Sequence, residues 1–499
     1  MSNTLLNAMK AEANIKRTEN GAISYKSTMN GIMDLFALGG SYRTRSEKDI
    51  INLFNKAFIE DEVMALRSLF YLRDIRSGQG ERRFFRTVIR WLAFNHTDAI
   101  SRNMIHIPFF GRWDDLYTFV GTPLEKEAFD IMYHQIKLDV KCKTPSLLAK
   151  WLKSENTSSA ESRRLAKKTR EAFRLTARQY RKTLSFLRAR INVLERLMSE
   201  NRWDEIEFDK IPSRAGFIYR NAFARHDIER TKAKKQTYAE FAKDKKSKVN
   251  ADVLNPCEVV SKATNISHRS LEDTERLMVN KYWDNLKDYF NNAVFNGVAV
   301  VDTSGSMTWG SSYNGIYPID VAISLGMYCA EKCNPTSPWY GHYISFSRMA
   351  RLIEIEGVDF CDKVNRIYKA NLCQNTNIES VFDLILNTAI AHKIKSEDMP
   401  KNIIIISDME FDEATSYSKN VESVIETKLR EYEAAGYEIP HLIFWNAAAR
   451  NDNIPIRDNG RVSYVSGYSP VIFEMLMSGK TGWDLILDKL NSERYSCIN

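Results

Sequence analysis

Gly297-Val-Ala-Val-Val-Asp-Thr-Ser-Gly-Ser306 joins an unbroken apolar run to a short loop carrying one carboxylate and three hydroxyls. Further along, Ile403-Ile-Ile-Ile-Ser-Asp408 repeats the plan, an apolar run ending in a hydroxyl and a carboxylate. Strands covered on both faces read as continuous apolar runs, whereas one wetted face imposes alternation. Both runs therefore predict interior strands of a parallel sheet. Around them, candidate strands at His342 to Phe346 and Ile439 to Trp445 alternate with helical patterns over Ile319 to Cys333, Ile378 to Ala391 and Val421 to Ala434. That alternation predicts a doubly wound α/β domain, with helices on both faces of the sheet.

In such sheets ligands bind outside the carboxyl ends of the strands, so loops distant in sequence meet there. Asp302, Ser304 and Ser306 from the first loop are expected to face Asp408 from the second. Thr376, in Asn375-Thr376-Asn377 ahead of the helix near Ile378, offers a further hydroxyl. Hard oxygen donors of this kind suit a small divalent cation, Mg²⁺ or another such as Mn²⁺, which prefers octahedral geometry and keeps several waters. This DxSxS loop, intervening threonine and later Ser-Asp resemble the metal-ion-dependent adhesion site of von Willebrand factor A domains. The resemblance implies direct metal binding by Ser304 and Ser306, by Thr376 directly or through water, and by Asp302 and Asp408 mainly through bound waters. It also implies an open sixth position that takes an acidic side chain of a protein ligand. The Trp309 to Tyr317 segment is expected to cover part of that site, and Glu410 and Asp412 read as a solvated acidic turn.

Ahead of Asn296 the pattern is helical. Ile50, Leu53, Phe54, Ala57 and Phe58, then Val63, Leu66, Leu69, Phe70 and Leu72, predict two amphipathic helices separated by Glu60-Asp-Glu62. The expectation is a multidomain α + α/β chain. Residues 1–290 would form an α-helical repeat domain of HEAT-like hairpins able to close into a ring. Residues 296–499 would form a von Willebrand A-like, Rossmann-like domain, with Asn255 to Asn265 and the polar stretch around His268 as the crossing.

Phe173, Ala177, Tyr180, Leu184, Leu187, Ile191, Leu194 and Met198 step by four and three, which predicts one long helix. On such a helix Arg163, Lys167, Arg170, Arg174, Arg178 and Arg181 form a second row, a disposition suited to a phosphate backbone. Lys234 and Lys235, within Arg230 to Lys235, and Lys243 to Lys248 extend the basic segment over 160–250. Phe217, Tyr219, Phe223 and Tyr238 are candidate platforms for unpaired bases. A solvated helix face is the competing reading of the same charges.

Leu72-Arg-Asp-Ile-Arg-Ser-Gly-Gln-Gly-Glu-Arg-Arg83 and Pro108-Phe-Phe-Gly-Arg-Trp-Asp-Asp115 resemble signatures of the domain of unknown function 2828 family, found in plants and viruses. Phe346-Ser347, Asn375-Thr376-Asn377 and Ser407 to Asp412 extend the resemblance. That family is similar in layout to the Ro ribonucleoproteins, in which a ring of helical repeats, the TROVE module, binds RNA and is joined to a von Willebrand A domain. Within the motifs, Arg73-Asp74 and Arg112-Asp114 read as structural ion pairs, and Gly78, Gly80 and Gly111 as points of close backbone approach.

At 499 residues the chain exceeds one core, and its 44% hydrophobic and 27% charged residues exclude wholesale disorder. A net charge of +8 is too small by itself to name a partner. Seven cysteines without CxxC spacing exclude a disulfide scaffold or a zinc ribbon. No signal-peptide pattern or membrane-length apolar run is present, which predicts a cytoplasmic protein, in the host cytoplasm if viral, with no membrane partner. Neither HExxH, GxxxxGK[ST], GxSxG nor GxGxxG occurs, so no enzyme is expected. The resulting expectation is an RNA-binding ribonucleoprotein component holding a small structured or single-stranded RNA. The alternative is a metal-dependent protein-interaction adaptor for an AAA+ or viral assembly partner, without nucleic acid.

Overall fold

The structure, a computed structural model, describes residues 4–308, 312–345, 349–370, 376–411, 421–448, 450–456 and 460–499. Two compact units are present. One comprises residues 1–68 and 251–492, the other 69–250 and 493–499. The first 68 residues and the stretch 251–290 contribute to the unit that holds the sheet.

In that unit two short strands, β1 (Ile15–Arg17) and β2 (Ile23–Tyr25), pair antiparallel. A six-stranded sheet contains β3 (Gly297–Val301), β4 (His342–Ser345), β5 (Arg351–Glu354), β6 (Asn402–Ser407), β7 (His441–Asn446) and β8 (Val462–Ser466), in the order β5-β4-β3-β6-β7-β8. All neighbours run parallel except β4 and β5. Every residue of β3 and β8 is buried, as are five of the six in β6 and in β7. Continuous apolar runs thus form β3, β6 and β7, as the sequence implies, whereas the buried edge strand β8, Val-Ser-Tyr-Val-Ser, carries no such run and is not among the expected strands. The exposed edge strand β5, which carries Arg351 and Glu354, lacks that signature and escapes a reading based on it.

Helices Pro318–Lys332, Glu379–Ala391 and Val421–Ala434 lie within a residue or two of their expected positions. The stretch read as a crossing is instead the helix Pro256–Ile266, opened by a capping box between Asn255 and Glu258. It packs on Pro318–Lys332 and on a further helix, Phe360–Ala370, and buries Cys257, Val259, Val260 and Ala263. Its Asn-Pro start reads as a turn, yet proline is well placed at the first position of a helix.

The second unit is helical, with Arg82–Asn95, Glu125–Lys141, Ala160–Ala172, Ala177–Arg190 and Ser213–Arg225 as its longer elements. The two sequence signatures meet in its core. Arg73 pairs with Asp115 at 2.7 Å, both side chains being buried, and Arg86 reaches Asp115 at 2.7 Å and Asp114 at 2.9 Å. Arg112 binds Asp114 at 2.9 Å and lies 4.0 Å over the Trp151 ring. Of the two expected pairs, Arg112-Asp114 forms but Arg73-Asp74 does not. Asp74 receives the Arg494 guanidinium and, at 3.0 Å, the Tyr495 hydroxyl. Arg73 ends the helix Glu62–Arg73 and Asp74 lies just past it, and each finds a partner distant in sequence.

Gly78 closes this motif, and a β-carbon there would collide with the Tyr71 carbonyl oxygen. Because the obstacle is backbone, Gly78→Ala is expected to destabilise the chain by about 1–3 kcal/mol, read as a lower denaturant midpoint at unchanged slope.

Candidate functional site

Ignoring the antiparallel edge strand, the sheet order is that of a flavodoxin-like doubly wound fold, whose switch point lies between β3 and β6. Chains leave these two strands toward opposite faces, which opens a crevice at their carboxyl ends. The register Val301↔Ile406 places Asp302 and Ser407 side by side in that crevice. Asp302 N donates to Ile406 O at 3.0 Å, and Ser407 Oγ donates to Asp302 Oδ2 at 2.6 Å. Ser304 N donates to Asp302 Oδ1 at 2.9 Å, folding the loop back on its own carboxylate. The structure therefore brings Asp302, Ser304, Ser306 and Asp408 to one edge of the sheet.

Asp302 and Asp408 are both fully buried. Burial, then the charge of Asp302 and behind it that of Glu410, push the Asp408 carboxyl up to about 7, against the opposing pull of the Ser306 hydroxyl. Oδ1 of Asp408 accepts from Glu410 N at 3.2 Å, whereas Oδ2 has no hydrogen-bond partner, and Thr303 Oγ1 on the facing loop is likewise buried and unmatched. An unmatched buried polar atom costs about 1–3 kcal/mol, so Asp408 Oδ2 and Thr303 Oγ1 leave this edge of the sheet incompletely satisfied. The Ser304 and Ser306 hydroxyls share a hydrogen bond, their oxygens 3.0 Å apart. Adjacent ligands of an octahedral cation with bonds of about 2.0–2.1 Å are separated by about 2.9 Å, so this pair fits one edge of such an octahedron. Among the described residues no group of three or more His, Cys, Asp and Glu side chains is arranged for a metal. The donor set here differs in kind, since three of its five expected members are hydroxyls. Thr376 is buried just ahead of the helix Glu379–Ala391. Asn375, Asp412, Phe346, Ser347 and the first part of the Trp309 to Tyr317 segment lie outside the described residues.

Glu410 is not a solvated turn residue. It is 1% exposed, and Met409 before it adopts φ 65°, a left-handed conformation that costs a non-glycine residue energy. Glu410 Oε2 accepts from Glu19 N at 2.8 Å, and Oε1 accepts from Asn451 Nδ2 at 2.8 Å and Asn453 Nδ2 at 2.7 Å. Its carbonyl accepts from Asn20 Nδ2 at 2.7 Å, and Thr18 Oγ1 donates to Phe411 O at 2.8 Å. The β1–β2 hairpin is thus strapped onto the loop after β6, and Tyr25 continues the attachment through a bridge to Ile454. Sequence reasoning missed this strap because Thr18, Glu19 and Asn20 act through backbone and short polar groups that leave no periodic signal.

The basic segment departs from expectation first in its helices. Instead of one long helix, Ala160–Ala172 and Ala177–Arg190 are separate, with Arg174 at φ 52° between them. Thr176 and Gln179 form a capping box that starts the second helix: Thr176 Oγ1 accepts from Gln179 N at 3.2 Å and Gln179 Oε1 from Thr176 N at 2.8 Å. That Thr-x-x-Gln signal is legible in the sequence and outweighs the periodicity. Phe173, Tyr180, Leu184 and Leu187 nevertheless pack inward. Tyr117 and Thr169 hydroxyls lie 3.0 Å apart, and Arg188 binds the carbonyls of Ala149 and Leu152, which seats both helices.

Arg163, Lys167, Arg174, Arg178 and Arg181 remain exposed, as do Lys234 and Lys235. Arg163 donates to the Thr157 and Ser158 carbonyls at 2.6 and 2.8 Å. Arg170 is half-buried on Glu155 at 2.8 Å, so it belongs to the scaffold. Arg230 is buried, donating to Trp203 O and Ile206 O, with its guanidinium 4.2 Å from the Phe208 ring. Phe223 and Tyr238 are core residues packed on Phe208, unavailable for stacking on bases, whereas Phe217 and Tyr219 are half-exposed.

Residues 18–145 and 139–293 match the Domain of unknown function DUF2828, and residues 296–493 match a second Domain of unknown function, DUF7788. An uncharacterized protein of Acanthamoeba polyphaga mimivirus, L728, is 32% identical over 511 residues, spanning 94% of this chain and 85% of the relative. The chain belongs to the DUF2828 family. This bears out the resemblance carried by the Leu72 to Arg83 and Pro108 to Asp115 signatures. Among solved structures, the Ro (RSR) protein of Deinococcus radiodurans aligns over 91% of this DUF2828 protein and 100% of its own chain, at 14% identity and a TM-score of 0.48. No helix among the described residues is long and apolar enough to cross a membrane.

Glu410→Ala removes the acceptor of three hydrogen bonds at the strap. It is expected to cost about 3 kcal/mol and to accelerate protease cleavage within residues 15–30, followed by limited proteolysis.

Proposed function

We propose that this protein is an RNA-binding component of a ribonucleoprotein, which holds a small structured or single-stranded RNA on its helical unit and carries a Mg²⁺ or Mn²⁺ site on its sheet unit. The observation that supports RNA binding best is the exposed set Lys167, Arg174, Arg178 and Arg181, displayed on two helices and the turn between them. Guanidiniums on rigid elements bind phosphate oxygens with two donors at once, and their attraction falls with salt. Of the four candidate platforms, Phe217 and Tyr219 are half-exposed, and Phe186 on the helix Ala177–Arg190 is exposed.

The metal reading is supported by the unmatched Asp408 Oδ2 and the Ser304–Ser306 hydroxyl pair. Ser304, Ser306 and Thr376 would hold the ion, with Asp302 and Asp408 supplying compensating charge. When bound, the ion would offer a Lewis-acidic position to a carboxylate. Gly305 is exposed and Ser306 half-exposed, so that position is reachable from solvent. This access favours a second reading, an adaptor that grips an acidic protein partner through the metal and needs no RNA.

Lys167→Glu, Arg174→Glu and Arg178→Glu together are expected to weaken binding of a fluorescent single-stranded RNA by at least about tenfold and to reduce its salt dependence, measured by anisotropy. No binding by the wild type would overturn the RNA reading.

Mg²⁺ at a hundredfold excess over its Kd is expected to stabilise the wild type by about 2.7 kcal/mol and Asp302→Ala not at all, read by thermal unfolding. Equal shifts in the two proteins would overturn the metal reading. Loss of a co-purifying protein partner with EDTA, in the absence of RNA binding, would favour the adaptor.

A further inference from the structure

We propose that Arg450 is a built-in rival of the cation for Asp408, and that the N-terminal strap sets its strength by holding the guanidinium on Glu19. The inference rests on the metal reading above and adds to it a device within the chain.

Arg450 Nη1 lies 3.9 Å from Asp408 Oδ2, the buried oxygen that has no hydrogen-bond partner. The contact is a charge attraction too long for a hydrogen bond. Arg450 Nη2 is instead committed to Glu19 Oε2 at 2.6 Å, and Glu19 Oε1 accepts from Asn451 Nδ2 at 3.0 Å. The backbone of Glu19 is fixed in turn on Glu410, and the carbonyl of Arg450 accepts from Arg45 Nη1 at 2.5 Å. One guanidinium therefore stands between two carboxylates, one belonging to the candidate metal site and one to the strap. It satisfies the strap fully and Asp408 only in part. Its side chain is one-third exposed, so it is free to move away from Asp408 without unfolding anything.

A divalent cation held by Ser304 and Ser306 beside Asp408 would repel this guanidinium and drive it onto Glu19. Conversely, any change that takes Glu19 away leaves Asp408 as the remaining carboxylate for Arg450 and opposes the cation. Coupling of this kind is reciprocal: the strap favours metal binding, and metal binding tightens the strap.

The test is calorimetric titration of the full chain with Mn²⁺, joined to hydrogen exchange over residues 18–25. Arg450→Gln is expected to bind Mn²⁺ about tenfold more tightly, a modest share of the attraction between unit charges about 4 Å apart near a surface. Glu19→Gln is expected to bind about three- to tenfold more weakly, and the double variant like Arg450→Gln. Mn²⁺ should slow exchange at Glu19 to Tyr25 in the wild type but not in Arg450→Gln. Opposite signs for the two variants separate competition from general loosening of the loop, which would weaken both. Unchanged or like-signed affinities, with wild-type binding intact and lost in Asp302→Ala, would overturn the role of Arg450 alone. Failure of the wild type to bind would overturn the metal reading together with it.

Discussion

The pairing of β3 with β6 is the constraint on which the candidate site depends. Because the two strands are parallel neighbours in register, both loops leave the same edge of the sheet. Asp302 and Asp408 are thereby buried close together, a placement that repulsion and desolvation oppose. Apolar strand packing imposes it: Val298 to Val301 and Ile403 to Ile406 are almost completely excluded from solvent. The site is a point of electrostatic tension held by a hydrophobic lattice, and a positive charge is what relieves such tension.

Part of the relief comes from within the chain. Backbone N–H groups of Ser304 and Glu410 and the Ser407 hydroxyl occupy three carboxylate oxygen positions, and Arg450 stands off from the fourth. The nearby Glu410 carboxylate is neutralised differently, by backbone and amide donors from the strap and from the loop after β7. Two acidic side chains two residues apart thus have separate roles, one as an anchor for the N-terminal hairpin and one left partly unmatched. The left-handed Met409 between them turns the chain so that their side chains serve different partners.

In the helical unit, charge is divided by the same rule of satisfaction. Arg170 and Arg230 read in the sequence as part of a basic surface, yet each is spent on a carboxylate or on backbone carbonyls, as are Arg73, Arg86, Arg112 and Arg188 elsewhere in the unit. The arginines and lysines on the outer faces of the two helices at 160–190 are more available. A count of basic residues therefore overstates the surface offered to a phosphate backbone, and burial decides which of them belong to it.

The sequence by itself determined the α/β class of the second half, the central strands, three of their helices and the loops bearing Asp302, Ser304, Ser306 and Asp408. These follow from short-range patterns, continuous apolar runs and helical periodicity, which report burial along one segment. Family membership was legible too, through the Leu72 to Arg83 and Pro108 to Asp115 motifs. Only the tertiary structure decided that Arg73 pairs with Asp115, that residues 256–266 are a buried helix, that Glu410 anchors residues 18–20, and that Arg450 lies between Glu19 and Asp408. Each depends on groups far apart in the chain meeting in space, where a single charge or amide carries the contact and no periodicity announces it. The break at Arg174 is intermediate: its capping box stood in the sequence, but the packing stripe running across it masked the signal.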